Sequence, residues 1–353
     1  MKLLIQIPCF NEAELLPVTL REIPRRVHGV ERVEILVIDD GSTDATADIA
    51  RAAGVDHILK FPVHRGLARA FSAGLDRCLK LGADFIVNLD ADNQYDPGDI
   101  PRLLEPLLLG EADVVIGERD MRTADHFSAT KKALQRIGSW VVRKLSGTRV
   151  GDATSGFRAF TRGAALRINV VSEFTYTLET ILQAGTIDLA VAGVPVRSRP
   201  VQRKSRLFSS IPTYLRKSAS TLLRTSALYR PVRVFSTAGV VFIALGGFLM
   251  VRFLVLFMND PSYSGHTQSL VIASILFTLS FLMGMAGLVA FLISINRRLL
   301  EDLLVRVKEL EARLAADPEA DCRSPIPAGS NGDRPAIDDY LPPDHFRADQ
   351  PGR

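Results

Sequence analysis

Cysteine is scarce. Cys9, Cys78 and Cys322 are the only three in 353 residues, an odd number too far apart to write a disulfide framework or a Cys-x-x-Cys metal knuckle. The soluble part of the chain is therefore expected in a cytosolic setting. Excess charge is also small: 43 Lys and Arg against 39 Asp and Glu leave +4, which argues against a nucleic-acid partner unless the charge is segregated. No Gly-x-Gly-x-x-Gly follows the first apolar run, so a dinucleotide-dependent dehydrogenase is disfavoured. There is no internal repeat. The amino terminus, MKLLIQIPCFNEAE, has one Lys, and Pro8, Asn11, Glu12 and Glu14 cut its apolar run below signal-peptide length. It is expected to be folded structure. At 47% hydrophobic and 23% charged residues, the chain can bury the core of one large domain or two.

From residue 1 to about 120, short runs rich in β-branched residues (LLIQI, EILVIDD, FIVNLDAD, DVVIGE) alternate with Ala/Leu/Arg-rich stretches such as Asp44–Ala53 and Gly66–Leu81. Nearly all-apolar runs are how strands buried on both faces read, and strands separated by helices give a parallel α/β sheet. Ligands bind at the carboxyl ends of such strands. Pro8–Glu12, Asp39–Asp44 and Asp90–Asp96 fall there.

Two later stretches, Val234 to about Met258 and Leu270–Ile295, are apolar over the roughly 20 residues that cross a bilayer. Arg252 lies near the far end of the first, where a long side chain reaches the interface. Between Pro195 and Arg233 there are ten Lys or Arg and no acid, and Arg297 and Arg298 follow the second span, whereas the connecting NDPSYSGHTQ has no Lys or Arg. The positive-inside rule then places both large flanks in the cytoplasm. The basic collar is read as lying against an anionic membrane face. Within it Leu207, Ile211, Tyr214, Leu215, Leu222, Leu223 and Leu228 mark an interfacial helix, and Lys131–Leu145 is a second amphipathic candidate that could equally be a core-facing surface helix.

Beyond the spans, Leu300, Leu303, Val307, Leu310 and Leu314 step 3-4-3-4, a two-heptad pattern compatible with a homo-oligomer but marginal as an isolated coiled coil. From Ala316 the chain turns to Pro, Asp and Gly, the composition of a disordered tail. The expected organisation is a cytoplasmic domain with interfacial helices over 1–230, two spans over 231–295, a cytoplasmic helix over 296–315 and the tail over 316–353.

Chemistry concentrates in VNLDADNQYDP. Asp90 and Asp92, two residues apart just past a strand, can converge on a hard divalent cation that keeps open positions for phosphate oxygens. VIDDGSTD is a second strand ending in paired acids, with Thr43 and Asp44 as cap-type residues before a helix. Two acidic strand ends on one sheet edge make poor structural sense unless a cation or hydrogen-bond donor lies between them.

IPCFNE, VIDDGSTD, HRGLARAFSAGLD, VNLDADNQYDP, VIGERD and TSGFRAF, in that order, resemble the family 2 glycosyltransferases, and among them the polyprenyl-phosphate sugar synthases typified by dolichol-phosphate mannose synthase. The likeness covers about residues 1–230, and the family's two carboxy-terminal spans match as well. It implies a GT-A-type, Rossmann-like, mostly parallel sheet followed by interfacial helices and two transmembrane helices. It implies transfer of a sugar from a GDP- or UDP-linked donor to a polyprenyl phosphate at the cytoplasmic membrane face, with magnesium or manganese. By the same resemblance Pro8, Phe10, Glu12 and Asp40, with Asp39 beside them, hold the nucleotide. Asp90, Asp92 and Gln94 carry metal and diphosphate, Arg65 lies near the nucleotide, and Arg119 faces the acceptor phosphate. Arg136, Arg203 and Arg206 match less closely, and lipid headgroup contact serves equally for the last two. Cys9 and Phe10 stand where a small polar residue and Tyr are frequent, and VRSRPVQRKSRLF replaces the more usual Gly-containing run.

Processive polysaccharide synthases share the nucleotide-binding half but carry a Gln-x-x-Arg-Trp signature, and the one tryptophan here, Trp140, sits in GSWVV. An inactive membrane scaffold of the same fold is the remaining alternative, opposed by the intact Asp90, Asp92 and Gln94.

A lipid monophosphate, with a second pKa of about 6, is largely an oxyanion near neutral pH and needs positioning more than a general base. Inversion by direct displacement is expected; Glu179 in TYTLETIL is the remaining candidate base, and on a helix rich in Thr and Leu packing or hydrogen bonding serves it equally.

Overall fold

Seven strands form, β1 (Lys2–Cys9), β2 (Arg32–Asp39), β3 (His57–Lys60), β4 (Phe85–Asn88), β5 (Val114–Arg119), β6 (Arg158–Thr161) and β7 (Val191–Val196), and short runs rich in Ile and Val account for β1, β2, β4 and β5. The structure, a computed structural model, describes residues 1–119, 129–171, 176–199, 220, 231–259 and 267–316. The strands form one sheet in the order β3-β2-β1-β4-β6-β5-β7. All pairings are parallel except those of β6 with β4 and β5. The mostly parallel sheet expected from sequence is present. Missing from the expectation were β3 and β6, four residues each, and β7, whose Gly193 and Pro195 break the apolar run.

Helices α1 (Leu16–Glu22), α2 (Thr46–Ala52), α3 (Leu67–Lys80), α4 (Ile100–Leu108), α5 (Ala129–Ser146), α6 (Arg162–Arg167) and α7 (Tyr176–Thr186) cover the two faces. Alternation along β1 separates two cores. Leu3, Ile5 and Ile7 pack with Leu16, Leu103 and Leu104 on one side, and Leu4 packs with Ile38, Phe71 and Leu75 on the other. Strand order reverses about β1, whose neighbours are β2 and β4. The carboxyl ends of β1, β2 and β4 therefore open on one crevice, the switch point where doubly wound sheets bind ligands.

Two long helices follow. α8 (Pro231–Asn259) and α9 (Thr267–Ala316) are long and apolar enough to cross a membrane. They pack along each other, with Ser280 Oγ donating to Gly239 O at 3.0 Å and Arg252 Nη1 to Ser269 Oγ at 3.3 Å. The sequence reading separates a span ending near 295 from a helix over 296–315, yet α9 runs through that point without a break. Leu, Glu, Arg, Lys and Ala beyond Arg298 are good helix formers, so the backbone continues where hydropathy falls. The end of α9 folds back on the sheet domain against α3 and α6, with Lys308 Nζ 2.9 Å from Asp76 and Lys80 Nζ 3.1 Å from Glu311.

The amphipathic candidate at 131–145 is helical, as part of α5, with Val142 buried in the core. The interfacial helix expected over 207–228, apart from Ser220, and the tail from 317 lie outside the described residues.

Candidate active site

Backbone and side chains of two loops lock the ends of β1 and β2 together. Asn11, at φ 54°, donates its N–H to Ser42 Oγ at 3.0 Å and accepts from Thr43 N at 2.8 Å; Glu12 N donates to Thr46 Oγ1 at 2.9 Å. Gly41 is required where it stands: its φ is +68°, and a Cβ there would lie 2.5 Å from the Val63 carbonyl carbon. The close approach brings residues 63–66 over the β2 end.

Asp40 is buried and fully engaged, accepting from Arg65 N at 2.7 Å and Gly66 N at 2.9 Å, with His64 Nδ1 at 2.9 Å. It therefore shapes the 64–66 turn. Asp39 Oδ1 accepts from Ser42 N at 2.9 Å. Its Oδ2 is buried without a hydrogen bond, 3.9 Å from Lys60 Nζ. A buried carboxylate oxygen without a donor is costly in isolation and apt for an N–H of a nucleobase. His64 stacks on Phe10 with ring centroids 3.9 Å apart, and the Arg65 guanidinium sits 5.5 Å from the Phe61 ring centre. The structure thus brings Pro8, Phe10, Glu12, Asp39, Asp40 and Arg65 to one side of the crevice.

Across it lies the β4 end. Leu89 and Ala91 are buried and Asp90 and Asp92 are partly open, the alternation of an extended chain leaving the sheet. Gly156, just before β6, packs on Asp90 so closely that a Cβ would lie 2.2 Å from Asp90 Oδ2. Burial, then repulsion from Asp92, drives the Asp90 carboxyl up to about 7, opposed by the positive charges of Arg119 and Arg158. Asp92 Oδ1 accepts from Gln94 N at 3.1 Å.

Among the described residues no three His, Cys, Asp or Glu side chains converge to hold an ion by themselves. The pair at 90 and 92 still fits a divalent cation. Magnesium-type sites commonly use one or two carboxylates and complete their shell with water and substrate phosphate, and the repulsion that raises Asp90 is what a cation relieves.

Beneath the pair lies a buried polar floor absent from the sequence reading. Gln6 Nε2 donates to Asn88 Oδ1 at 2.9 Å; Asn88 Nδ2 donates to Gly156 O and Tyr176 Oη, both at 2.9 Å. Arg158 is fully buried. It donates to Ser155 O at 2.8 Å, to Ala153 O at 3.0 Å and to Thr180 Oγ1, with Tyr176's ring 5.7 Å away. TSGFRAF carried the resemblance, yet no local pattern marks Arg158 as buried.

Arg119 closes the far wall. Its Nε donates to Asp152 Oδ2 at 2.7 Å and its Nη2 to Asp152 Oδ1 at 3.1 Å and Thr154 Oγ1 at 2.8 Å, and the guanidinium lies 5.9 Å from the Tyr95 ring centre. Burial opposes ionisation of Asp152, but the charge and hydrogen bonds of Arg119, with those of Thr154, hold its carboxyl below the usual range. Asp152 and Thr154 are site residues missed in the sequence, 33 and 35 positions from Arg119. Arg136 falls within α5, but its side chain, like Arg203 and Arg206, lies outside the described residues.

Arg197 and Arg199, counted above in the membrane-facing collar, are held by acids of the sheet domain. Arg197 pairs with Asp99 at 3.0 Å and Asp96 at 2.9 Å; Arg199 pairs with Glu22 at 2.7 Å. With Arg199 N donating to Gln94 O at 2.8 Å, this segment fastens the turn after Asp92. Glu179 is buried in α7 and accepts from Val171 N at 3.1 Å and Gln183 Nε2 at 3.3 Å, a packing role.

Residues 4–168 match the family model described as glycosyl transferase family 2. The chain is 34% identical over 166 residues to an undecaprenyl-phosphate mannosyltransferase of Micrococcus luteus, covering 45% of this chain and 66% of that protein. It is 31% identical over 268 residues to an undecaprenyl-phosphate 4-deoxy-4-formamido-L-arabinose transferase of Sodalis glossinidius, covering 72% and 76%. The chain thus spans just under two thirds of the micrococcal protein. Among solved structures, glucosyl-3-phosphoglycerate synthase from Mycobacterium tuberculosis, in complex with Mn2+, UDP-glucose and phosphoglyceric acid, superposes with TM-score 0.51 at 23% identity, covering 64% of this chain and 80% of that one. That likeness establishes the GT-A-like fold.

Proposed function

The chain belongs to glycosyl transferase family 2, and from that premise we propose that it transfers one sugar from a nucleotide diphosphate sugar to a polyprenyl monophosphate at the cytoplasmic face of a membrane. The observation that carries the reading is the paired Asp90 and Asp92 at the switch-point crevice, with Asp90 raised to about 7 by burial and by its neighbour. Such a pair calls for a divalent cation and the diphosphate it accompanies. The names of the micrococcal and Sodalis relatives support an undecaprenyl-phosphate acceptor.

On the donor side, Asp39 Oδ2 offers an acceptor to a base N–H, and Phe10, stacked on His64, offers an apolar wall. Asp40 holds the Arg65–Gly66 turn so that Arg65 stays at the crevice rim. Asp90 and Asp92, with Gln94 beside them, would hold magnesium or manganese, which when bound neutralises charge on the leaving diphosphate. Gly156 leaves room for Asp90, and Arg158 beneath it limits the repulsion a second acid creates.

On the acceptor side, the lipid phosphate arrives already ionised, so the protein must orient it. Arg119 is locked by Asp152 and Thr154 into one orientation at the far wall, a preorganised positive charge. The resemblance offers Arg136 as a further contact to the acceptor phosphate, and Arg203 and Arg206 as contacts to it or to lipid headgroups. Displacement from the side opposite the diphosphate inverts the anomeric centre. α8 and α9 anchor the domain as a membrane hairpin; the return of α9 onto α3 and α6 supports both helix ends lying on the catalytic side. With the collar, that side is cytoplasmic.

Asp92→Asn in purified, folded protein, and wild type in chelator, should each lose transfer of radiolabelled sugar to polyprenyl phosphate by at least about a hundredfold. Near-normal activity in either would refute the metal-assisted reading.

A further inference from the structure

The cytoplasmic end of α9, we propose, is a strut that seats the crevice in the head-group plane of the membrane, so that a lipid phosphate is met without drawing the lipid out of the bilayer. α9 runs side by side with α3, which begins at the crevice. The height and facing of the site go beyond the membrane and sugar-transfer reading above, on which they rest.

α3 spans the sheet from edge to edge. Its first residue, Leu67, follows Gly66, whose N–H donates to Asp40 at the crevice. Its last, Lys80, precedes Leu81, whose carbonyl accepts from Lys2 Nζ at 2.8 Å beside the start of β1. α3 therefore points away from the crevice.

One face of α9 is turned to α3 and α6. Glu301, Leu304, Val305 and Lys308 recur at helical spacing and are half-buried, and Ala312 is buried, whereas Leu300, Leu303, Val307 and Leu310 between them are exposed. Two ion pairs fix the register: Lys308 reaches Asp76 at 2.9 Å and Glu311 reaches Lys80 at 3.1 Å. Exposed pairs of this kind select a register more than they add stability. Their order sets the facing. Three residues forward on α9 correspond to four forward on α3, so the two helices run in the same sense. Were they opposed, the crevice would face away from the membrane.

α9 carries this register into the membrane without a break. Both helices rise about 1.5 Å per residue. Nine residues before Asp76 is Leu67, at the crevice; nine residues before Lys308 is Leu299, directly after Arg297 and Arg298, where the apolar span ends. The carboxyl ends of β1, β2 and β4 thus lie level with the cationic end of the span, the depth at which Lys and Arg meet lipid phosphates. The opposite edge of the sheet stands about 25 Å farther out, the length of the eight-residue β1.

The test uses the full chain with Cys322→Ser, since Cys9 and Cys78 are buried, in vesicles of phosphatidylcholine and phosphatidylglycerol. A fluorophore at Val63→Cys, exposed beside the crevice, should be quenched by head-group nitroxide lipid at least about threefold more than one at Glu31→Cys, exposed before β2 at the opposite edge. Insertion of seven helix-forming residues between Arg298 and Leu299 turns α9 by about 700°, which keeps the docking face in phase, and lifts the sheet domain by about 10 Å. Quenching at Val63→Cys should then fall by at least about half. Transfer to long-chain polyprenyl phosphate in the vesicles should fall by at least about tenfold, while transfer to a water-soluble short-chain prenyl phosphate stays within a few-fold. A contact that only stabilises the sheet domain would treat both acceptors alike. Quenching equal at the two positions or stronger at Glu31→Cys, an insertion that leaves long-chain transfer unchanged, or one that lowers transfer to both acceptors alike would overturn the proposal. Wild type that transfers sugar to neither acceptor would refute the sugar-transfer reading instead, and the quenching comparison would still decide the seat.

Discussion

Asp90→Asn should stabilise the metal-free protein while abolishing transfer. The carboxyl rises from the ordinary aspartate value of 3.8 to about 7 because burial and Asp92 disfavour its charge. At about 1.36 kcal/mol per pKa unit, roughly 3 units correspond to about 4 kcal/mol of destabilisation when the group is ionised in both states. Asp90 is partly open to water, so this is a ceiling.

The sign follows from proton uptake. The folded state holds the Asp90 proton more tightly than the unfolded state, so the penalty is absent below about pH 3.8, grows between 3.8 and 7, and is complete above 7. The neutral Asn variant escapes it. In chelator at pH 8 its melting temperature should exceed that of wild type by several degrees, with a ceiling of about 8–16 °C at roughly 2–4 °C per kcal/mol. At pH 5.5 the advantage should fall by about half. Manganese should raise the melting temperature of wild type far more than that of the variant. Scanning fluorimetry in detergent at both pH values measures all three quantities. A variant no more stable than wild type at pH 8, or a difference that ignores both pH and manganese, would refute the account of the Asp90–Asp92 pair.

Gly156→Ala, which would set a Cβ 2.2 Å from Asp90 Oδ2, should raise the manganese concentration for half-maximal activity by about tenfold or more; an unchanged titration would contradict the packing argument. Arg119→Ala should lower transfer by about a hundredfold or more per folded molecule. Glu179→Gln should cost stability and leave the rate within a few-fold; the reverse order of effects in steady-state assays would restore Glu179 as a base. Truncation after Ala316 should leave transfer in detergent unchanged, and loss of activity would show that the tail takes part.

Strand ends were legible because their signal is local: an apolar run that stops at Asp39-Asp40 or Asp90-Ala91-Asp92 places acids at the sheet edge by geometry alone. The polar floor was not, because its partners are far apart in sequence. Gln6 and Asn88 are 82 residues apart, and Asn88 and Tyr176 88 apart. The same distance misled the reading of Arg197 and Arg199. Their neighbours include no acid, so they looked like membrane-facing charge, while Asp99 and Glu22 reach them from 98 and 177 positions away. Hydropathy located both long helices but put a boundary near 295, where composition changes and helix propensity does not.

The central claim is that this crevice moves a sugar from a nucleotide to a lipid phosphate with inversion. Purified protein should be incubated with polyprenyl monophosphate, manganese and a panel of radiolabelled GDP- and UDP-sugars, and the lipid product analysed for its linkage and anomeric configuration. A prenyl-phospho-sugar inverted relative to its donor, formed from the monophosphate and not from the free alcohol, is the predicted result. A retained configuration, equal transfer to the alcohol, or a polymer of many sugars would contradict it.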